Sequence, residues 1–240
     1  MTESLRLAKR LSSQLGCSRG EAIKYIENGY VTVDGLIIEE PGFHVQSEQQ
    51  IELMPDAKLE ATEVVTILLH KPAGYDIETR PDAAVSLISS DSHAADDYSP
   101  NRFIKKHLKE LTLWDPLGSQ SSGLVVLSQD FRIIRKLTDD AKKIEQEYIV
   151  DVSGEILPDG LKQLNLGLTI KGKLVPVKAS WQNENRLRFA FKGVQRSQIS
   201  AMCTQAGLTV LAMKRIRIGR VPMSTLKAGQ WRYLLQHELF

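Results

Sequence analysis

The stretch LWDPLGSQSSGLVVLSQD, residues 113–130, sets a loop of small polar residues directly before an apolar run. Loops that meet the end of a core strand are common positions for reactive groups. The loop offers serine hydroxyls and the amide of Gln120, which are poor nucleophiles without an adjacent base. The nearest acid or base is Asp115, at the upstream edge. The stretch therefore predicts an active-site turn, with Asp115 as its candidate for chemistry.

The composition is typical of a globular protein that works in water. The 240 residues suffice for one large domain and a small one, with 25% charged and 42% hydrophobic residues. No apolar run reaches membrane-spanning length, and the start MTESLRLAKRL lacks the apolar core of a secretory signal. Cys17 and Cys203 have no cysteine or histidine at ligand spacing. We therefore expect a reduced, cytoplasmic environment, with no disulfide, no structural zinc and no membrane partner.

Charge is distributed unevenly along the chain. Residues 186–240 hold ten Lys and Arg against one acidic residue, a net charge of +9. Residues 76–97 hold six acidic residues and one arginine, a net charge of −5. A strongly basic segment in a near-neutral chain favours RNA or DNA as a partner, although a solvated strand face would give the same composition.

Two short helices and a hairpin are predicted near the N-terminus. A leucine recurs at every fourth position over residues 7–15 and forms an apolar stripe. Ser18 and Glu21 have the spacing of a capping box, which predicts a second helix that ends at Gly29. Asp34-Gly35, within YVTVDGLII, predicts the turn of a hairpin.

The order RLAKRL, SRGEA and G-x-V-x-V-D-G over residues 5–53 resembles the small RNA-binding module named after the fourth protein of the ribosomal small subunit. The resemblance implies that basic side chains of this module contact the phosphates of a folded RNA without reading its bases. The residues assigned to this contact are Arg6, Lys9, Arg10, Arg19 and Lys24. An amphipathic helix pair with an ordinary charged face is the alternative, and it explains fewer of these motifs.

The division of the chain follows from changes in pattern. We interpret residues 1–58 as the RNA-binding module, residues 59–63 as a linker and residues 64–240 as a larger domain. Strands are predicted at VVTILL, LVVL, EYIVDV and RLRFAF, and helices at residues 131–143 and at SQISAMCTQAGL. The polar, acidic residues 76–102 predict a mobile surface loop.

This succession resembles the pseudouridine synthases of the ribosomal-RNA type that carry an N-terminal RNA-binding module. The motifs that carry the resemblance span nearly the whole chain: HKPAGY, SSGLVVLSQD, EYIV, the Gln-Ile-x-x-Met-Cys helix, LTVLAMKRIRIG and L-x-x-G-x-W-R-x-L. The resemblance implies an α+β fold, in which a small αα-β RNA-binding domain precedes a larger mixed, mostly antiparallel sheet domain flanked by helices. It also implies structured RNA, of the ribosomal kind, as the partner, and it implies no metal or cofactor.

The nucleophile loop of this family reads G-R-L-D-x-D-(T/S)-x-G-L. Its first aspartate attacks a flipped uridine so that the base can detach, rotate and rejoin through carbon. Counted back from Gly123 without a gap, the position of that aspartate is held by Gly118, which has no side chain to react. Asp115 lies three residues further upstream, so it would need a three-residue insertion in a tight loop.

A second departure concerns the cation that pairs with the nucleophile. The family helix N-R-Q-I-R-R-M-C has this arginine directly before its glutamine, whereas the stretch Arg196-Ser-Gln-Ile puts Ser197 at that position. Gly118 and Ser197 together predict that both members of the ion pair are missing. Their joint absence is physically coherent, because one buried charge without the other would be costly.

Two family positions are retained. Tyr148 in EYIV matches the tyrosine that packs against the target base, and Lys71 matches the Lys-Pro turn that shapes the cleft. A tyrosine at the start of a strand is also common in protein cores, so base stacking and simple core packing both stay open for Tyr148.

Three functions remain open on the sequence. The missing ion pair favours a monomeric RNA-binding pseudoenzyme that recognises ribosomal RNA without isomerising uridine. The second is an active ribosomal RNA pseudouridine synthase in which Asp115 is the nucleophile. The third is a ribosome-assembly module that docks a protein partner through the acidic residues 76–97.

Overall fold

The computed structural model describes residues 4–59, 63–170, 173–193 and 196–240, and these form two compact units. The smaller unit contains the chain up to Val64 together with Arg102–Glu110. The larger unit contains Val65–Asn101 and Leu111–Phe240. The predicted linker, 59–63, lies mostly outside the described residues.

The smaller unit consists of two helices and two small antiparallel sheets. The helices are α1 (Leu7–Leu15) and α2 (Arg19–Glu27), and the strands are β1 (Leu5–Arg6), β2 (Val31–Val33), β3 (Leu36–Ile37), β4 (His44–Val45) and β5 (Ile51–Leu53). Strand β1 pairs with β4, and β2 pairs with both β3 and β5. The apolar faces of the two helices and of β2 close over one core, in which Leu7, Leu11, Ala22, Ile26 and Val31 are fully buried.

Local signals at the helix ends and at the hairpin turn are confirmed. The Ser18 hydroxyl accepts from the Glu21 amide at 3.2 Å, and the Glu21 carboxylate accepts from the Ser18 amide at 2.8 Å, which completes the capping box. Asp34 and Gly35 have φ of 51° and 80°, as a type I′ hairpin turn requires. The predicted leucine stripe is shorter than expected, because Leu15 is 38% exposed.

The segment Arg102–Glu110 returns to the smaller unit from within the larger one. It contains one turn of 3₁₀ helix, Lys105–Leu108. The Arg102 guanidinium donates to the carbonyl oxygens of Asn28 at 3.1 Å and Gly29 at 2.7 Å, and it lies over the ring of Tyr30. These bonds satisfy carbonyl groups at the end of α2, where a helix leaves acceptors unpaired.

The larger unit is built mainly from strands. They are β6 (Thr66–Lys71), β7 (Thr112–Trp114), β8 (Ser121–Ser128), β9 (Glu145–Ser153), β10 (Leu168–Ile170), β11 (Lys173–Val175), β12 (Val177–Asn183), β13 (Arg186–Lys192), β14 (Thr209–Ile218), β15 (Val221–Pro222) and β16 (Trp231–Tyr233). The helices are α3 (Asp82–Val85), α4 (Phe131–Asp139), α5 (Gly160–Leu166) and α6 (Arg196–Gln205). Helix α4 ends at Asp139, four residues before its predicted end.

Nine of these strands form one sheet in the order β12-β13-β9-β14-β8-β6-β16, with β15 beside β14 and β7 beside β8. The pair β14 and β8 is parallel, and the other pairs are antiparallel. The predicted α+β class with a mixed, mostly antiparallel sheet is therefore confirmed. Strand β6 is buried at all six positions, as expected for a strand in the interior of a sheet covered on both faces.

The prediction of a mobile surface loop at residues 76–102 is wrong. Its residues Ile77 and Ala84 are fully buried. His93 stacks on Trp231 with ring centroids 4.1 Å apart, and the Trp231 indole donates to the Ser89 carbonyl at 2.8 Å. The acidic composition misled the prediction, because four apolar residues of the segment, Ile77, Ala84, Ile88 and Ala94, are buried. No described helix has the length and apolar character needed to cross a membrane.

Candidate functional site

A cavity of about 810 Å³ lies in the larger unit where β7, β9 and the start of α6 approach one another. Its lining combines charged, aromatic and small residues: Glu78, Trp114, Asp115, Thr138, Ala141, Lys142, Gln146, Tyr148, Gly193, Arg196 and Ser197. Three residues predicted from the sequence as site positions, Asp115, Tyr148 and Ser197, therefore meet in one cavity.

Asp115 is held in this cavity by a guanidinium. The Asp115 carboxylate accepts from Nη1 of Arg215 at 2.5 Å, and the Asp115 carbonyl accepts from Nη2 at 2.9 Å. Arg215 is fully buried and also donates from Nε to the Leu124 carbonyl at 2.7 Å, so all its nitrogens are bonded. The Asp115 side chain remains 40% exposed. One carboxylate oxygen is thus fixed by the pair while the side chain stays open to the cavity.

A short polar chain joins Asp115 to Tyr148. The Gln146 amide donates to the Asp115 carboxylate at 3.2 Å, and the Tyr148 hydroxyl donates to the Gln146 carbonyl oxygen at 3.0 Å. Gln146 and Tyr148 are two residues apart on β9, so both side chains project from the same face of the sheet. Tyr148 is 1% exposed and stacks on Phe191, and burial raises the pKa of its hydroxyl.

Strand register explains why these residues meet. Arg215 on β14 lies directly opposite Tyr148 on β9, and opposite Gly123 on β8. Gly123 has φ of +113°, and a Cβ there would lie 2.2 Å from the Arg215 carbonyl oxygen. Only glycine allows β8 and β14 to approach this closely. Gly123 in β8 therefore lets β14, the strand that carries Arg215, lie between β8 and β9.

The prediction that the ion pair of the family is missing stays a prediction, because the structure does not test which residues catalyse. It was based on Gly118 and Ser197, and neither residue carries a charge. The cavity contains the pair Asp115–Arg215 from other positions of the chain. Asp115 directly follows β7, and residues 116–120 connect it to β8. Its φ of 44°, uncommon for a residue with a side chain, turns the chain at this point.

A second ion pair lies over Gly118. Nη2 of Arg196 is 3.3 Å from the Glu78 carboxylate. A Cβ on Gly118 would lie 3.1 Å from the other oxygen of that carboxylate. Glu78 therefore occupies the space next to Gly118 that a larger residue would fill. Nη1 of Arg196 is buried and has no hydrogen-bond partner among the described residues.

Lys71 holds the turn at the cavity edge together. The residue is fully buried, and its ammonium donates to the carbonyls of Pro72 at 2.9 Å and Ser121 at 2.7 Å. Burial, and secondly the charge of Arg196, lower its pKa to about 8. Pro72 follows β6 and Ser121 begins β8, so the ammonium ties the ends of these two neighbouring strands together. The predicted cleft-shaping role of Lys71 stays a prediction.

The predicted RNA-binding residues of the smaller unit divide into two groups. Arg6, Lys9, Arg19 and Lys24 are exposed. Arg10 is half-buried, and its guanidinium donates to the carbonyls of Gln46, Ser47 and Gln49. The structure thus gives Arg10 an internal role in place of the predicted phosphate contact.

The basic C-terminal segment is also less available than its charge suggests. Most of its arginines are paired with acidic residues of the same unit: Arg186, Arg188, Arg196, Arg215, Arg217 and Arg232. Several of these pairs lie on neighbouring strands of the sheet and stabilise it. The net charge of +9 is therefore an overestimate of the free positive surface.

Sequence reasoning did not predict the roles of Glu78, Gln146 and Arg196 in the cavity lining, nor that of the buried Arg215. For Arg215 the signal would have been its pairing with Tyr148 across β9 and β14, which the sequence does not encode locally. Among the described residues, no group of three or more His, Cys, Asp or Glu side chains is arranged to hold a metal ion.

Comparisons with known proteins agree with one another on the family of both units of the chain. A family model of the S4 domain matches residues 5–51, and one of RNA pseudouridylate synthase matches residues 65–211. The dual-specificity RNA pseudouridine synthase RluF of Escherichia coli K12 is 29% identical over 98% of this chain and 77% of its own length. Ribosomal small subunit pseudouridine synthase A of Vibrio cholerae is 24% identical over 98% of both chains. A crystal structure of a pseudouridylate synthase superposes with a TM-score of 0.58 at 20% identity and covers 97% of this chain and 96% of its own, which shows a shared fold.

Proposed function

The chain belongs to the RNA pseudouridylate synthase family, and we propose that it is an active enzyme that isomerises uridine to pseudouridine in structured ribosomal RNA, with Asp115 as the nucleophile. The observation that carries this proposal is the Asp115–Arg215 pair beside Tyr148 in the cavity. The sequence favoured a pseudoenzyme because the matched positions are Gly118 and Ser197. The pair at Asp115 removes that reason.

The geometry suits the covalent step. Arg215 and Gln146 both donate to the same oxygen of Asp115 and so fix the orientation of the carboxylate. The second oxygen is left free by the described residues to attack the nucleotide. As the carboxylate bonds to the nucleotide, the bond between the base nitrogen and the ribose breaks. The base then rejoins through its C5, a proton leaves C5 while another binds the freed N1, and the carboxylate is released. No oxidant or reductant is needed, because the product is an isomer of the substrate.

The remaining cavity residues would hold the flipped base. Tyr148 is kept in place by Phe191 behind it and by Gln146 at its hydroxyl. Trp114 lines the same cavity, and the Arg215 guanidinium lies 5.9 Å from the centre of its ring. Bases extruded from a helix are commonly held against aromatic and apolar side chains, so this wall is a suitable receptor for a uracil.

RNA recognition would be shared with the S4 domain. Arg6, Lys9, Arg19 and Lys24 are exposed there and can reach phosphates, which position an RNA without reading its sequence. The ribosomal substrate is inferred from the name of the Vibrio cholerae relative, a ribosomal small subunit pseudouridine synthase.

Tritium release tests the proposal. Unmodified ribosomal RNA transcripts labelled with tritium at uridine C5 should lose the label to water when incubated with the protein. Asp115→Asn should abolish release, because an amide cannot form the covalent bond. Asp151→Asn is the matched control, since Asp151 pairs with Arg186 outside the cavity. Asp115→Asn also removes a charged partner of buried Arg215, so its folding is checked by thermal unfolding, and its RNA affinity should persist.

RNA binding without isomerisation is the second candidate. It is favoured by the positive φ of Asp115, a backbone conformation that is uncommon for a residue with a side chain. If the unaltered protein binds the transcripts but releases no tritium, this second function replaces the first.

A role in assembly through residues 76–97 has less support. Asp97 is 2% exposed in its side chain and pairs with His93, and Asp96 accepts from Thr225 at 2.8 Å. Glu78 pairs with Arg196. Three of the six acidic side chains of the segment thus have partners within the larger unit, while Asp82 and Asp91 are exposed.

A further inference from the structure

Arg196 is a cation in the cavity that the proposed chemistry does not use. Its Nη1 is buried without a hydrogen-bond partner among the described residues, although its side chain is 23% exposed. A buried donor that stays unpaired costs free energy, so such groups in native structures call for an explanation. The nucleophile does not need this cation, because Asp115 already pairs with Arg215.

The guanidinium nevertheless lies at the centre of the site. It lines the cavity together with Asp115, Tyr148 and Ser197. The positive charge of Arg196 affects the pKa of two neighbours. It is the second cause of the lowered pKa of Lys71, and it partly opposes the burial that raises the pKa of Tyr148. A cation close to the base-binding wall is positioned to meet the backbone of a nucleotide that enters.

Glu78, the partner of Arg196, is held loosely. Its side chain is 54% exposed, and its one ion-pair contact, to Nη2 of Arg196, is 3.3 Å long. It lies on the irregular segment between β6 and α3, where its own amide bonds to Asp76. It rests in the space that Gly118 leaves open. A half-exposed carboxylate on such a segment can turn into solvent at little cost.

We propose that Arg196 binds a phosphate of the RNA next to the target uridine, and that Glu78 holds the guanidinium in the free protein until the phosphate displaces it. This inference rests on the proposed function for the identity of the cavity. A guanidinium offers a fork of donors that matches a phosphate, so Nη1 gains the acceptor that it lacks. The carboxylate and the phosphate are both anions, so they cannot share the guanidinium without repulsion.

The two partners should therefore affect binding in opposite directions. Arg196→Gln should weaken binding to unmodified ribosomal RNA transcripts about tenfold, because a charge-assisted contact is lost. It should also reduce the dependence of log Kd on log salt by roughly one, the signature of one phosphate contact. Glu78→Gln should tighten binding, since the RNA no longer competes with a carboxylate. Arg196→Lys should keep the salt dependence and regain part of the affinity.

Arg186→Gln is the matched control, because it removes one positive charge from an ion pair outside the cavity. It should leave affinity and salt dependence close to those of the unaltered protein. If Arg196→Gln and Glu78→Gln both weaken binding, the ion pair merely supports the fold and the proposal is overturned. It is overturned equally if Glu78→Gln has no effect or if the salt dependence of Arg196→Gln is unchanged, which would point to a contact with a neutral base atom. Should Arg196→Gln fail to fold, Glu78→Gln alone decides.

These measurements use binding and not turnover. They remain decisive if the unaltered protein proves unable to release tritium, so failure of the proposed activity and failure of this inference can be told apart.

Discussion

At the scale of single residues, the site depends on how closely β8 and β14 approach at Gly123. The backbone nitrogen and carbonyl oxygen of Arg215 would lie 2.5 Å and 2.2 Å from any Cβ at that position. Contacts this short cannot be relieved by a side-chain rotation, since both atoms belong to the backbone. The strands would have to separate, and the buried guanidinium would move with them.

We predict that Gly123→Ala destabilises the protein by on the order of 3 kcal/mol or more and abolishes tritium release. Gly229→Ala is the control: Gly229 has φ of +83° with nothing within 4 Å of its would-be Cβ, so only the backbone strain remains. Its cost should be about 1 kcal/mol. Chemical denaturation of both variants measures the difference, and equal losses of stability would show that the clash is relieved.

The same residues show what the sequence could and could not predict about the site. Short motifs pointed to Asp115, Tyr148 and Ser197, which line one cavity. The Asp115–Arg215 pair joins residues one hundred positions apart through the parallel pairing of β8 with β14. Counting back from Gly123 leads to Gly118, because short motifs do not show which distant residues share a cavity.

At the scale of elements, the helices of the S4 domain have two kinds of basic residue. Arg10 on α1 is tied to the loop carbonyls of Gln46, Ser47 and Gln49. Arg19 and Lys24 on α2 are exposed. The helical periodicity that grouped them in the sequence describes one face of an isolated helix, and it does not show that a neighbouring loop lies against part of that face.

Substitutions should separate these two kinds. Arg19→Ala with Lys24→Ala should weaken binding to unmodified ribosomal RNA transcripts and reduce the salt dependence of log Kd by roughly two, with thermal stability unchanged. Arg10→Ala should instead lower stability by about 1–3 kcal/mol, because several carbonyls lose their donor. The internal role of Arg10 would be contradicted if Arg10→Ala left stability unchanged but reduced the salt dependence of log Kd by roughly one, as the loss of one phosphate contact would.

Element prediction succeeded where the signals are local. The capping box of α2 and the Asp34-Gly35 turn involve residues close in sequence, so their geometry follows from residue type. The segment 76–102 was mispredicted because its order depends on β16, more than one hundred residues away. Composition reports the average polarity of such a segment and not the few side chains that anchor it.

At the scale of the whole molecule, the smaller unit is built from two parts of the chain. Its second part, Arg102–Glu110, brings with it His107, which is 4% exposed. Burial, and secondly the charge of Lys106, lower the His107 pKa to about 4. In the unfolded chain this histidine has its usual pKa near 6.5. Between pH 6.5 and pH 4 the unfolded chain therefore binds a proton at His107 that the folded unit does not bind.

Stability should therefore decrease as the pH falls from about 6.5 towards 4. His107 can account for at most about 3 kcal/mol of that loss. His107→Leu should reduce the difference in free energy of unfolding between pH 7 and pH 5, as measured by urea titration followed by circular dichroism. An unchanged difference would show that other groups cause the acid sensitivity.

The return of Arg102–Glu110 also bears on how the protein emerges from the ribosome. The smaller unit begins at the N-terminus, yet it cannot be completed until residue 110 has been synthesised and has left the exit tunnel. By then β6 has already emerged, while its neighbours β8 and β16 have not. A fully buried strand of the mature sheet thus waits without partners during translation, and it must be kept from pairing with other nascent chains. We therefore expect Thr66–Lys71 to be a segment at which a chaperone acts during synthesis.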